Sequence, residues 1–148
     1  MAAIVSQIEI ARPPDEVFAY VTDVSRFPEW QGDVVRLRVE AGGTAGVGAR
    51  FTTTRRFARA ERTLTQEVTA VDAPRTWAAR GIDGPVRPSA TVAIEPIDGG
   101  TRSRVTFGLD FVGHGLGVAL LPLVRRQAER GAPVSYRRLK ERLESGPR

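Results

Sequence analysis

The stretch 117–143 sets the tightest limit on what this chain can become. Apolar or small side chains return there at Leu120, Leu121, Val124, Ala128, Ala132, Tyr136, Leu139 and Leu143. Arg125, Arg126, Glu129, Arg130, Arg137, Arg138, Lys140 and Glu141 take much of the remaining circumference. That spacing belongs to one amphipathic helix. At the helical rise it would be about 40 Å long, longer than an ordinary strand, so it has to lie across a curved sheet from edge to edge. Pro122 falls early enough to be accommodated. Gly131 and Pro133 fall in the middle, where proline has no N–H to donate and its ring meets the preceding turn. A kink or short break is expected there, with two stacked helices joined at Gly131 as the alternative.

Upstream, the pattern changes to alternation. Ile4, Ser6, Ile8 and Ile10 share one parity and Gln7 and Glu9 the other, so 3–11 reads as a strand with one buried face. Pro13 and Pro14 stop it. Residues 13–24 read as a helix with Asp15 and Glu16 in its first turn and Val17, Phe18 and Val21 as its packed stripe. Ser25 is the expected cap of a shorter turn over 25–30, which sets Phe27 and Trp30 on one surface.

Extended segments follow. They cover 34–40 around Val35, Leu37 and Val39, then 48–56, 63–71, 76–81 with Trp77, 90–96 and 101–111. The turns between them are AGGTAGVG, a hairpin at 57–60, Asp72 to Pro74, and IDGG. The segment 81–88, GIDGPVRP, reads as a loop or irregular edge. Connections this short force antiparallel pairing, and the first strand finds its place most simply beside the last. The expected fold is α+β: a seven-stranded curved antiparallel sheet wrapped around a long C-terminal helix, with two short helices between strands one and two. A curved sheet and one helix meet only along a line, which leaves room for a pocket of about 300 to 1,000 Å³.

The chain has 148 residues, 41% of them hydrophobic and 26% charged, enough for a single domain over 1–148 with a sizeable core. It holds no cysteine and one histidine, His114, which excludes disulfides, thiolate chemistry and a histidine-rich metal site. No cofactor is called for. The N-terminus alternates and lacks a signal-peptide core, and no apolar run reaches eighteen residues, so the expectation is a cytoplasmic protein without integral membrane association. The formal charge is +5, but almost every base is arginine, Lys140 is the only lysine, and acids are interspersed throughout. Such a balance gives nonspecific attraction and no specific nucleic-acid site.

The opening IEIARPPDEVFAYVTDVSRFPEWQGDV carries a Phe-Pro-x-Trp element at Phe27, Pro28, Glu29 and Trp30. With Gly46 and Gly48 before strand three, EVTAVDAPRTWAAR and the closing LKERLE, it resembles the START-related helix-grip superfamily (SRPBCC), in its polyketide cyclase/dehydrase-like branch. The likeness covers nearly the whole chain. It implies binding, by sequestration or transfer, of a small hydrophobic partner that is lipid-like, aromatic or polyketide-like. A polyketide cyclase or dehydratase is the alternative, and a protein-interaction module, with room for weak homodimerisation, is the third.

Candidate ligand-binding residues come from the faces these elements present. Trp30 and Phe27 can wall one end of a cavity or plug the core. Trp77 shares parity with Ala79 and Gly81, small residues that leave a hollow beside the ring. Leu64, Gln66 and Val68 form one face, with Gln66 its odd polar member, and a buried amide must find a partner unless a bulge turns it to water. Val92, Ile94, Phe107 and Leu109 make an apolar wall, facing Leu121 and Val124 of the helix. Arg50, Arg55, Arg56, Arg59 and Arg62 cluster around the 57–60 hairpin, either as a solvated tip or as a receiver for a carboxylate or phosphate on an otherwise apolar ligand. Arg50 is expected to project inward if it shares parity with Thr52 and Thr54. His114 is the weak catalytic candidate, with Asp110 and Tyr20 the nearest partners by type. The glycines around it, Gly113, Gly115 and Gly117, read as close-approach positions or hinges and not as a phosphate loop.

Overall fold

Alternation in the sequence becomes seven strands: β1 (Ile4–Ile10), β2 (Val34–Val39), β3 (Arg50–Phe57), β4 (Ala60–Asp72), β5 (Thr76–Gly81), β6 (Val86–Ile97) and β7 (Arg102–Gly113). The computed structural model describes residues 3–40, 46–57 (backbone alone at Phe57) and 59–146, so parts of the AGGTAGVG turn and of the 57–60 hairpin lie outside the described residues. Strand order is β1-β7-β6-β5-β4-β3-β2, antiparallel throughout. The chain's start pairs with its last strand, Ile4 opposite Leu109 and Ile10 opposite Ser103. Two short helices, α1 (Pro14–Val21) and α2 (Phe27–Trp30), joined through a 3-10 turn at Val24–Arg26, carry the chain from β1 to β2 at the far edge. The long helix α3 (Gly117–Ser145) packs on β7, β1, β6 and α2. This is a helix-grip fold.

Sheet parity decides which residues face the helix. On β4 the inward set holds Leu64, Gln66 and Val68, on β6 Val92 and Ile94, and on β7 Val105, Phe107 and Leu109, with Val92 opposite Phe107 and Ile94 opposite Val105. The core gathers at one end. Ile10, Val17, Val21, Val24, Phe51, Val68, Val105 and Leu139 are at most 1% exposed there, and burying side chains of this size contributes about 1.5–3 kcal/mol each. Phe18 and Ile94 belong to the same cluster.

The C-terminal half of α3 is bolted to that core. Arg12, itself 6% exposed, donates to the Glu144 and Gly146 carbonyls at 3.1 and 2.8 Å, placing a cation where the helix leaves its last carbonyls unpaired. The Glu144 carboxylate accepts the Ala11 N–H at 2.8 Å and pairs with Lys140 at 3.0 Å. Burial pushes that carboxyl up, but the Ala11 N–H and Lys140 outweigh it and hold Glu144 below its ordinary value.

The structure departs from the sequence reading in several places. Helix α3 runs unbroken through Pro122 and Pro133, because packing on the sheet overrides the local propensity of one residue. Residues 81–88 are only partly loop: β6 starts at Val86 and carries Pro88 opposite Phe111. Pro88 is tolerated because β5 ends at Gly81, and no strand continues beyond it to demand the missing N–H. Asp23, not Ser25, caps the 3-10 turn that leads into α2, accepting the Ser25 N–H at 3.1 Å. In β2 a register shift between Val34 and Arg36 buries Val34, while Val35 and Val39 are 37% and 38% exposed. Among the described residues no helix is long and apolar enough to cross a membrane.

Candidate functional site

Where α3 leaves the core, the space between helix and sheet stays open. A cavity of about 680 Å³ lies there, within the usual size of a small-molecule site. Its floor is aromatic. Phe27 meets Trp30, Phe51 and Trp77 edge-on at 5.7, 5.8 and 6.2 Å between ring centres. Phe107 on β7 and Tyr136 on α3 stack at 3.9 Å with planes 8° apart, and Trp30 tilts against both. These rings separate the solid end of the molecule from the hollow end. They also fix how far the helix stands from the sheet.

Most of the wall is apolar, with Leu64, Val92, Leu109, Phe111, Leu120 and Val124 among its members. Of the polar side chains that interrupt it, Gln66 and Tyr136 are the buried ones. Gln66 is 6% exposed, lines the cavity and has no hydrogen-bond partner among the described residues. Tyr136 is 9% exposed, lines the cavity and likewise has no partner for its hydroxyl. Burial pushes that phenol up to about 12, so it stays a protonated donor at neutral pH. The Trp30 indole N–H and the Thr53 hydroxyl are also buried without partners among the described residues.

The open side is bounded by the α2–β2 connection, the β3–β4 hairpin, the β5–β6 connection and α3. Two contacts hold α3 to this rim. The His114 N–H donates to the Pro85 carbonyl at 2.7 Å, and a side chain at Gly117 would overlap that same carbonyl, which is why the helix begins on glycine. Gln127 donates to the Arg56 carbonyl at 3.4 Å. Gly113 is a close approach too, since a Cβ there would lie 2.7 Å from the Val118 backbone.

Of the residues named from the sequence, Trp30, Phe27, Leu64, Gln66, Trp77, Val92, Phe107, Leu109 and Val124 line this cavity. Val68, Ala79 and Ile94 lie on the same inner faces but are buried in the core without lining the cavity. Leu121 is turned away from the cavity that its neighbour Leu120 lines. Gly81 leaves no hollow beside Trp77, since a Cβ there would meet the Pro88 ring at 2.8 Å. Arg50 is placed on the outer face, paired with Glu67 at 3.1 Å. The strand's parity is set by Phe51, fully buried, so Thr53 and Arg55 point inward in its stead. Arg55 lines the cavity and donates to Asp33 at 2.8 Å and Gln31 at 2.6 Å.

His114 lies exposed outside the cavity. Its expected partners are engaged elsewhere: Asp110 pairs with Arg125 at 3.2 Å, and Tyr20 donates to Glu29 at 2.8 Å. Burial, and then that bond to Glu29, push the Tyr20 phenol up to about 12. The His114 side chain makes no hydrogen bond or ion pair among the described residues. Tyr136 and Arg138 were not singled out from the sequence, whereas Arg55 and Arg62 belong to the hairpin cluster named there. The available signal for Tyr136 was its hydroxyl, the one polar group in the helix's apolar stripe.

A sheet gripping a helix over an apolar hollow defines a class of fold built around an internal cavity. Within that class, residues 1–144 match the family described as "Polyketide cyclase / dehydrase and lipid transport", and the chain belongs to it. Among solved structures it is similar to an aromatase/cyclase from a Streptomyces species, with 16% identity over 96% of this chain and 93% of that one and a TM-score of 0.80. A protein of Thermus thermophilus matches at 19% identity over 95% and 96% of the two chains, with a TM-score of 0.78. The di-domain ARO/CYC BexL matches at 20% identity with a TM-score of 0.74, over 97% of this chain but only 47% of its own length. At these identities the likeness is one of fold. No curated protein matches the sequence.

Proposed function

We propose that the protein binds a small, mainly apolar molecule in the cavity under α3 and acts by sequestering or transferring it. The observation that carries this reading is an apolar hollow of about 680 Å³ interrupted by the unpartnered Gln66 amide and Tyr136 hydroxyl. Apolar contact supplies affinity there, and the two polar groups orient the guest. Membership of a family described by both cyclases and lipid transport supports the same reading. Trp30 and Trp77 line the site, so titration with hydrophobic compounds should change tryptophan fluorescence saturably, at one ligand per chain. Compounds that bind by calorimetry without moving the fluorescence would place the site elsewhere.

A cyclase or dehydratase reading requires in addition a proton-transferring group beside the guest. Asp33 lies on the cavity wall, bonded to Arg55, and is the carboxylate to test. Under this reading Asp33→Asn abolishes turnover of a reactive polyketide-like substrate while retaining its binding; unchanged turnover would leave the binding function alone.

A further inference from the structure

The rim of the cavity has the opposite character to its wall. Arg55, Arg62 and Arg138 line it. Arg55 on β3 stands directly opposite Arg62 on β4 in the strand register, and both line the cavity. Like charges facing each other across a strand pair are unfavourable unless something neutralises them. The Arg138 guanidinium from α3 lies against Gly32, 3.0 Å from where a Cβ would stand. Gly32 is flanked by Gln31 and Asp33, the two residues that hold Arg55.

One carboxylate serves this group. Asp33 is bonded to Arg55, whereas Arg62 and Arg138 have no ion pair among the described residues. The other acid on the rim, Glu61, is taken up by Arg56 at 3.6 Å and by Arg36 at 2.7 Å. The lining as a whole counts four arginines (Arg55, Arg56, Arg62, Arg138) against two acids (Asp33, Glu61), an excess of two positive charges. Both unpaired guanidinium groups belong to exposed residues, so they stand where the apolar hollow opens to water.

Resting on the reading of the hollow as a ligand site, we infer that its natural guest is an amphipathic anion. Its carboxylate or phosphate is taken by Arg62 and Arg138 at the mouth, and its apolar body extends inward along β4 past Leu64 to Gln66. Arginine suits this task, because its planar fork meets either oxyanion with two parallel hydrogen bonds. Arg62, Leu64 and Gln66 are successive inward positions of one strand, so the anion and a second polar atom of the guest are separated by roughly 14 Å at most. Arg55 has Asp33 as its counter-charge, but a neutral guest would leave Arg62 and Arg138 without one. An anion supplies it.

The test compares guests that share a body and differ in the head: decanoic acid, decyl phosphate and decanol, and naphthoic acid with its methyl ester. Binding is measured at neutral pH and low salt by calorimetry. The expected result is a preference of about tenfold or more for the anion over its neutral counterpart, shrinking as salt is raised. In Arg62→Gln and Arg138→Gln the ratio falls towards one; in Arg130→Gln, an exposed α3 residue away from the lining, it is unchanged. The acid and phosphate arms show which oxyanion fits better, and either preference supports the inference. Neutral and anionic members binding alike in the wild type, or a preference that survives Arg62→Gln and Arg138→Gln together, would overturn it while leaving the cavity's binding role intact. Failure of every member to bind would overturn both.

Discussion

The two halves of α3 are one continuous helix put to different uses. Around Tyr136, Leu139 and Glu144 it meets the sheet through interlocked side chains, and Arg12 closes its end. Earlier in its course it spans a hollow, which Leu120, Val124, Ala128 and Ala132 line. Distance from the sheet makes the difference. The aromatic floor of Phe27, Trp30, Phe107 and Tyr136 fills the gap at one end and props the helix away at the other. Stability is therefore concentrated where binding is absent, and binding where packing is incomplete.

That division can be broken by substitution. Leu139→Ala, at a fully buried site, should cost about 3 kcal/mol in urea unfolding. Val124→Ala, over the cavity, should cost less than about 1 kcal/mol and chiefly alter ligand affinity, because its side chain already faces space. Equal losses at the two positions would erase the contrast.

Alkali probes the hinge between the halves. Folding raises the Tyr136 phenol from 10.0 to about 12, so the unfolded chain gives up its proton first. The stabilisation is whole below pH 10, declines as pH rises, and is gone above about 12, a loss of order 2 kcal/mol. Tyr136→Phe should flatten that decline in denaturant midpoints measured across the interval; an unchanged slope would mean that the phenol is solvated. At the closed end, Arg12→Met should cost about 1–2 kcal/mol by uncapping the helix. The smallest effect is expected at Glu144. Its carboxyl is held below the ordinary value, so its stabilisation is present at neutral pH and lost as pH falls through the folded value, and Glu144→Gln should remove that acid dependence.

How much of this was legible in the sequence depends on what parity can encode. Parity gave the inner face of β4, β6 and β7, and within it Gln66 stood out as the odd polar member. It could not say which inner positions the core fills, which is why Val68, Ala79 and Ile94 share a face with the cavity residues yet do not line the cavity. On β3 the same rule was applied to the wrong partner. Grouping Arg50 with the threonines overlooked Phe51, whose ring has far more to gain from burial and turns Arg55 inward with it. The choice of Leu121 over Leu120 was an error of helical phase, about 100° for one residue. The continuity of α3 through Pro133 depended on contacts distant in the chain. No local reading contains those.

The most direct measurement fills the hollow. Ala128 lines the cavity from α3, and Ala128→Phe places a ring in the space that a guest would occupy. The account predicts that native mass spectrometry and calorimetry find one hydrophobic molecule bound per wild-type chain and none in Ala128→Phe, whose unfolding midpoint stays at or above that of the wild type. Undiminished binding by the filled variant, or a destabilisation typical of an overpacked core, would contradict it.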